Sequence, residues 1–598
     1  MPQDSSLDLA VVGNCQVAGL FDRLGALVWA CLPRPDSDPT FCALLDRGGA
    51  QSARGVFAIT VNNCVAHQQH YRRNTAIVET TLTDDAGNQV RLTDFCPRFR
   101  DRNRVFRPMM FIRIAEPVSG HPQVRIKFQP ACDFGARKPA MTAGSSHLQF
   151  AATDTAVRLT TDASITSILE ERSVILDKPL AFIIGPDETV AEGPLQLAHA
   201  FLERTAEYWQ EWVRSLAVPV DWQDAVIRAA ITLKLCTYED TGAVLAALTT
   251  SIPEAPDSGR NWDYRYCWLR DSFFVIRVLN RLGATRTMEG FLRYINNIVE
   301  QSSGGPLQPL YSLAGNPHVE ERLIESLPGY RGMGPVRVGN LAAEQRQHDV
   351  YGSVILAASQ FFYDARLNTV GDPSLLARLE PLGEQAATQF ELPDAGPWEF
   401  RGYLRIHTFS AVMCWAACDR LCRIANHLGL DERARHWHTR ATEIRERILA
   451  RTWNDELKAF TTSFEGTELD ATALLFAEVG FIDASDARFA ATFNAIDREL
   501  RRDDLLFRYR HVDDFGVPLN AFTVCSFWWV EALASQGRLQ EAREAFERLL
   551  KRRNHLGLFS EHIDPATGEH WGNYPQTYSM VGVISSALRL SRSWEEVV

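Results

Sequence analysis

Two textures of hydrophobic and polar positions divide the chain. Up to about Pro186, short runs alternate apolar and polar residues with a period of two, are rich in β-branched side chains, and end at Gly, Pro, Asn or Asp. "VFAITVNN", "TAIVETTLTDDAGNQVRLTDFCP", "MMFIRIAEP", "QVRIKFQP", "AVRLTTD" and "LAFIIGP" are such runs. Inside the second, Asp-Ala-Gly-Asn supplies the turn of a hairpin. Strands at this spacing predict an antiparallel β-sandwich over residues 1–200. "LQLAHAFLERTAEYWQEWVRSL" then has helical periodicity and predicts a helical linker over 201–220.

From residue 221 to 598 helical patterns dominate, and they come in two kinds. "AFTVCSFWWVEALA" is apolar nearly all round, whereas "ERARHWHTRATEIRERILA" has one apolar stripe and a charged face. The two kinds tend to alternate, as they would if inner helices were buried on every side and outer helices on one. At roughly thirty residues per helix and loop, about twelve helices fit. The expected fold is therefore multidomain β plus α: a sandwich followed by an (α/α)6 toroid, its central pit facing the sandwich. No repeat of fixed period supports an open helical solenoid instead.

Bulk properties exclude several functions. The 598 residues carry a formal net charge of −12, so no basic field draws nucleic acid or an anionic membrane. The first residues, "MPQDSSLDLAVVGN", lack the basic and apolar regions of a signal peptide, and no apolar run approaches the roughly 20 residues that span a bilayer. Twelve scattered cysteines without a CxxC pair predict reduced, buried thiols and a cytoplasmic setting. Cys414, Cys418 and Cys422 lie four apart on one apolar helix, the spacing of a close-packing stripe and not of a metal cluster. A neutral or weakly charged small molecule is the natural partner; oligomeric state is left open.

Three stretches carry candidate chemistry. In "NWDYRYCWLRD" (261–271), Trp262, Tyr264, Tyr266 and Trp268 fall two apart, so an extended backbone places all four rings on one side. Flat rings suit the apolar faces of a sugar, and Arg270–Asp271 at a helix start offers a donor fork beside an acceptor for hydroxyls. A structural Arg–Asp pair at a core edge fits the same string. In "GPWEFRGYLRIHTFS" (396–410), Glu399 sits between Trp398 and Phe400, an apolar setting that disfavours charge and suits a general acid. A surface glutamate paired with Arg401 is the plainer alternative. The long loop "GLFSEHIDPATGEHWGNYPQTYS" (557–579) supplies Glu561, Asp564 and Glu569.

In their order along the chain, "RNWDYRYCWLRDS", "LPGYRGMGPVRVGNLAAEQRQHDVYG", "GPWEFRG", "FTVCSFWWVEAL" and "SEHIDPATGEHWGNYPQTYS" resemble glycoside hydrolase family 15. "VVGNCQVAGLFDRLGALVWACLPRPDS" is similar to the opening of the β-domain in that family's trehalase-like branch. The resemblance implies an inverting, exo-acting hydrolase of an α-glucoside, with trehalose favoured over malto- or isomalto-oligosaccharides. It implies Glu399 as general acid and Glu561 as general base. Arg270, Asp271, Tyr264, Trp268, Trp398 and Arg337 are the implied substrate-binding residues, and no metal or cofactor is needed. Inversion wants the two carboxyl groups roughly 6.5–9.5 Å apart with water between. A sugar phosphorylase, which shares the architecture, would lack the base; a non-catalytic sugar-binding protein would not keep both glutamates.

The chain departs from the family pattern at Val28, where an acidic residue is usual, at Pro35, where an aromatic is common, and at His348 and Ser353, where Leu and Glu are frequent. These departures point to the rim of the pocket, hence to substrate choice and not to the carboxylate pair.

Overall fold

The computed structural model describes residues 5–151 and 155–597. Two antiparallel sheets form the first part. One orders its strands Ala10–Gly13, Ala18–Phe21, Leu27–Cys31, Val56–Val61, Gln123–Gln129 and Ser173–Ile175, with Pro39–Phe41 branching from Leu27–Cys31. The other runs Met141–Ala143, His147–Ala151, Ala156–Thr161, Leu180–Pro186, Phe111–Ser119, Gln89–Phe95, Val78–Asp84 and Cys64–Tyr71. Their inner faces share one core: Phe57, Ile59, Ile126 and Phe128 from the first meet Leu82, Leu92, Phe111 and Phe182 from the second. The expected hairpin pairs Val78–Asp84 with Gln89–Phe95, and Asp84 Oδ1 closes its turn by accepting from the backbone N–H of Ala86 and Asn88.

The strands Ala10–Gly13, Ala18–Phe21 and Leu27–Cys31 lack the expected alternation because both of their faces are covered. Ala10, Val12, Phe21 and Leu27 enter the sandwich core, while Val11, Leu20, Val28 and Trp29 enter the core of the helical part. Trp29 Nε1 donates to the Leu248 carbonyl at 2.8 Å, tying the two parts together. The helix expected as a linker over 201–220 runs Pro194–Arg214 and is no free connector. Its Ala198, Leu202 and Ala206 cover Ile112, Ile114 and Ile183 on the outer face of the second sheet.

Eleven helices of ten residues or more follow among the described residues, from Gln223–Leu235 to Thr577–Leu590. Where a twelfth would stand, between Asp431–Thr452 and Ala487–Leu500, the chain makes only the short 3-10 helix Ala471–Leu475, capped by Asp470. Both expected kinds of helix occur. All ten residues of Asp349–Ala358 are buried, whereas Asp431–Thr452 buries Ala434, Trp437, Ala441, Ile444 and Ile448 along one stripe. The most deeply buried helices pack on one another: Ser272–Arg281 on Asp349–Ala358, that on Thr408–His427, and Thr523–Ser535 on Thr577–Leu590, which meets Ser272–Arg281 again. No helix among the described residues is long and apolar enough to cross a membrane. None of the twelve cysteines is in a disulfide; ten are buried as expected, but Cys64 is exposed at the start of an edge strand and Cys422 is half-buried.

Gly352 lets the backbones of two of these helices approach closely. A Cβ there would stand 2.1 Å from the Met413 carbonyl oxygen. Gly352→Ala therefore forces Asp349–Ala358 away from Thr408–His427, and overpacking of this kind costs about 1–3 kcal/mol or more when the neighbour is backbone. The expected outcome is a lower midpoint in thermal unfolding; an unchanged midpoint would show that the contact is not limiting.

Candidate active site

The loops at one end of the buried helices enclose a cavity of about 1010 Å³, mouth included, a size usual for small-molecule sites. Of the two backbones open to 261–268, the structure has the extended one: Asp263 bridges Thr250, and Cys267–Trp268 pairs with Leu310–Tyr311. Asp263 and Arg265 alternate with the rings and point away from the cavity. They form a fully buried bidentate pair, and Arg265 also donates to the Ser37 carbonyl of the sandwich at 2.7 Å. This is the sandwich's link to the site; it supplies no lining residue, so the pit does not face it directly. Trp262, Tyr264 and Trp268 line the cavity, and Tyr264 meets Trp268 edge-on at 5.2 Å. Tyr266 does not line it; the ring packs in a small cluster behind.

Glu399 lies in a tight turn, with its own φ at +62° and its N–H donating to the Gly396 carbonyl. A left-handed non-glycine residue costs roughly 1–2 kcal/mol, and here the turn directs the side chain to the cavity. The sequence neighbours do not wall the carboxyl off as expected. Trp398 tilts onto Phe522 and Trp528 and donates to Asp470, although it still borders the cavity. Glu399 Oε1 instead receives Trp268 Nε1 at 2.6 Å and stands 3.4 Å from both terminal nitrogens of Arg270. Arg401, the alternative partner, pairs bidentately with Glu321.

Arg270 and Asp271 both line the cavity, yet the fork of Arg270 is already occupied: Nε donates to the buried Asp349 at 2.8 Å, and another nitrogen to Gln347. Burial opposes the charge of Arg270, but Asp349, Glu399 and Asp271 outweigh it and raise its pKa. Asp271 is pushed up to about 7, chiefly by burial, with Glu399 and Asp349 adding to the effect and Arg270 opposing it. Arg337 does not line the cavity. It pairs with Glu321 and lies 5.4 Å from the Trp262 ring, so its effect on the lining passes through that ring.

Glu561 is wholly buried at the start of the strand His562–Ile563 and does not border the main cavity. Oε2 accepts from Asn573 N–H at 3.2 Å, while Oε1 has no hydrogen-bond partner among the described residues. Tyr264 connects it to the cavity. Burial raises the Tyr264 pKa well above normal, and the Glu561, Glu399 and Glu254 carboxylates add to the rise. The other two candidates in this loop are structural: Asp564 closes a turn with Ala566 and Thr567, and Glu569 pairs with Arg331.

Glu254 lines the cavity and was not anticipated, because nothing in "TTSIPEAPDSGR" marks it as more than a loop acid. Its oxygens are fully engaged: Trp262 Nε1 and Arg508 donate to Oε1, and Arg508 also to Oε2 at 2.8 Å. Burial works against ionisation, but Arg508, His562 and Arg260 overcome it and bring the pKa to about 2. A carboxylate so stabilised is a poor proton acceptor, whereas Glu561 keeps an uncommitted oxygen. Val28, Pro35, His348 and Ser353 all lie outside the cavity lining, so those departures do not shape its rim. Val28 packs in the core, and Ser353 donates to the Asp349 carbonyl one turn back in its helix.

A pit lined by aromatic rings, carboxylates and guanidinium groups at the ends of buried helices suits a sugar, and sequence comparison agrees. Residues 221–588 match glycosyl hydrolases family 15, and residues 6–174 match the trehalase-like N-terminal domain. The chain belongs to glycosyl hydrolase family 15. It is 32% identical to a trehalase of Mycolicibacterium smegmatis over 98% of this chain and 92% of that one. With a trehalase of Mycobacterium tuberculosis the identity is 33%, over 98% and 90%; with one of Thermoplasma volcanium it is 31%, over 97% and 93%. Among solved structures, a bacterial glucoamylase complexed with acarbose superposes with a TM-score of 0.68 at 13% identity, covering 98% of this chain and 94% of that one. That likeness extends to the fold, a sheet-rich part followed by a helical one.

Gly572, at φ +74°, leaves the space that Glu561 occupies: a Cβ would stand 2.6 Å from Oε2 and 2.9 Å from His562 Nδ1. Gly572→Ala is expected to displace the Glu561 carboxylate and lower kcat/KM by about 10²-fold, the effect of misplacing a reacting group by an ångström. Steady-state kinetics beside an unfolding curve would separate this from a general loss of fold.

Proposed function

We propose that the protein is an exo-acting, inverting α-glucoside hydrolase whose favoured substrate is trehalose and whose first product is β-glucose. The observation that carries the proposal is the similarity to trehalases along nearly the whole chain, together with two carboxyl groups: Glu399 at the cavity wall with a donor-held oxygen, and Glu561 buried behind Tyr264 with a free one. The scaffold is proposed to be an (α/α)6 toroid over 221–598, with the fourth inner helix reduced to Ala471–Leu475, preceded by the sandwich of 1–200 and a short helical junction.

In this mechanism Glu399 is the general acid. It gives its proton to the glycosidic oxygen as that bond breaks, and Trp268 and Arg270 hold the carboxyl at the cavity wall. Glu561 is the general base. Its uncommitted Oε1 takes a proton from the water that attacks the anomeric carbon from the opposite face, which inverts the configuration. Asp271 accepts hydroxyls of the glucosyl unit against the rings of Tyr264, Trp268 and Trp398, and Arg337 stiffens the Trp262 wall. The free oxygen on Glu561 favours hydrolysis over phosphorolysis, which needs no such base.

Incubation with trehalose, maltose and isomaltose, with and without phosphate, tests the substrate, and proton NMR of the first product tests inversion. Trehalose turnover to β-glucose is expected; α-glucose first, or glucose 1-phosphate, would overturn the proposal. Glu561→Gln is expected to lower kcat by about 10²–10⁴-fold or more. Glu399→Gln is expected to lose as much on trehalose while sparing glucosyl fluoride, whose leaving group needs little protonation.

The Asp271 carboxyl also sets a pH dependence. With a pKa of about 7 it is a carboxylate above that pH and neutral below, so its grip on hydroxyls is lost as pH falls. The KM for trehalose is expected to rise between pH 8 and pH 6, and Asp271→Asn to raise KM and flatten that slope. A KM independent of pH in the native protein would remove Asp271 from binding.

A further inference from the structure

Inversion leaves one proton too many on the general base at the end of every turnover. Glu561 is wholly buried and does not border the sugar cavity, so the proton needs a way out that a bound sugar does not block. The ring of His562 lies behind it, only 2% of its side chain exposed. Nδ1 stands 3.6 Å from Glu561 Oε2, and Nε2 stands 3.7 Å from Glu254 Oε2. The ring is held flat on Phe522, at 4.8 Å between centroids and 19° between planes. Nδ1 has no hydrogen-bond partner among the described residues, although it is buried.

His562 borders a second cavity, formed by residues 254–260 and 515–520. Glu254, Arg260 and Phe515 line both cavities and so form the wall between them. Val517 and Leu519, exposed at 37% and 63%, carry the second cavity to the surface. The charged groups around the ring are Glu561 on its own strand, Glu254 and Arg260 from the 254–260 segment, and Arg508, which pairs with Glu254.

We propose that His562 is a positioning residue that acts through Glu561, relaying the base's proton to the second cavity. The proposal rests on Glu561 being the base. In the relay, the protonated Glu561 carboxyl turns about its Cγ–Cδ bond, so that the oxygen carrying the proton faces Nδ1 and the other accepts from Asn573 N–H; that O–H bond then breaks as Nδ1 takes the proton, restoring the carboxylate. The imidazolium then releases its Nε2 proton to solvent in the second cavity, and solvent exchange returns the ring to its first tautomer. Glu399 regains its own proton from solvent, so the cycle balances. A closure of about 0.5 Å on each side brings both nitrogens within hydrogen-bond reach. Glu254 stabilises the imidazolium because Arg508 and Trp262 hold it ionised and in place.

Rapid-quench kinetics on trehalose test this. His562→Phe keeps the flat ring on Phe522 and removes both nitrogens. The first turnover is expected at the native rate, followed by a slow steady phase, with kcat down about 10²-fold and KM not raised. In His562→Ala, added imidazole entering the second cavity is expected to restore kcat. A first turnover slowed as much as later ones would reduce His562 to holding Glu561 in place; an unchanged kcat in both variants, or no effect of imidazole, would overturn the relay. Glu561→Gln run alongside separates the two claims. If it stays active, the assignment of the base fails; if it is inactive from the first turnover while His562→Phe shows no slow phase, only the relay fails.

Discussion

The candidate site depends on how one buried cation is paired. Arg270 sits where loops meet the ends of the buried helices, and its guanidinium reaches Asp349, Gln347 and Glu399 at once. An unpaired charge in such a place costs several kcal/mol, so the positions of all three partners are constrained together. Trp268 adds a hydrogen bond to the same oxygen, Glu399 Oε1. The outcome is a proposed acid that is held before any sugar arrives, on a turn whose left-handed φ would otherwise have little to maintain it. Preorganisation of this kind is what lowers a barrier without being repaid at each turnover.

The proposed base is handled differently. Glu561 is fixed through its backbone, between Thr523 and Asn573, and through the space left by Gly572. One oxygen is bonded and the other is not. Glu254, a few ångströms away across His562, has both oxygens filled and is strongly ionised. Two neighbouring carboxylates thus differ in the one property that matters for taking a proton. His562 between them is polar on both edges and apolar on its faces, which suits a wall that separates two cavities.

The sandwich supports this arrangement from behind. Its strands Ala10–Gly13, Ala18–Phe21 and Leu27–Cys31 are buried on both faces, one in the sandwich core and one against the helices, and the Ser37 carbonyl receives Arg265, which braces the segment carrying Tyr264 and Trp268. That is a reason for a hydrolase of small sugars to keep a large β-part that touches no substrate. It also explains why the departures at Val28 and Pro35 leave the cavity unaltered: they sit in the support and not in the lining.

Much of this was legible in the residues alone. Period-two alternation marked the strands that have one covered face, and the contrast between all-apolar and striped helices marked which helices are enclosed, because burial on one side or all sides writes directly into the pattern. Spacing two apart in "NWDYRYCWLRD" placed three of its rings on one side, since an extended backbone alternates its side chains. The tertiary structure decided the rest. Strands covered on both faces carry no alternation to read, the short Ala471–Leu475 helix has no periodicity of its own, and Glu254 becomes part of the site only because Arg508, about 250 residues later, folds against it. Which partner a charged side chain meets, Arg401 with Glu321 and Arg270 with Asp349, is set by long-range packing, and local sequence holds no record of it.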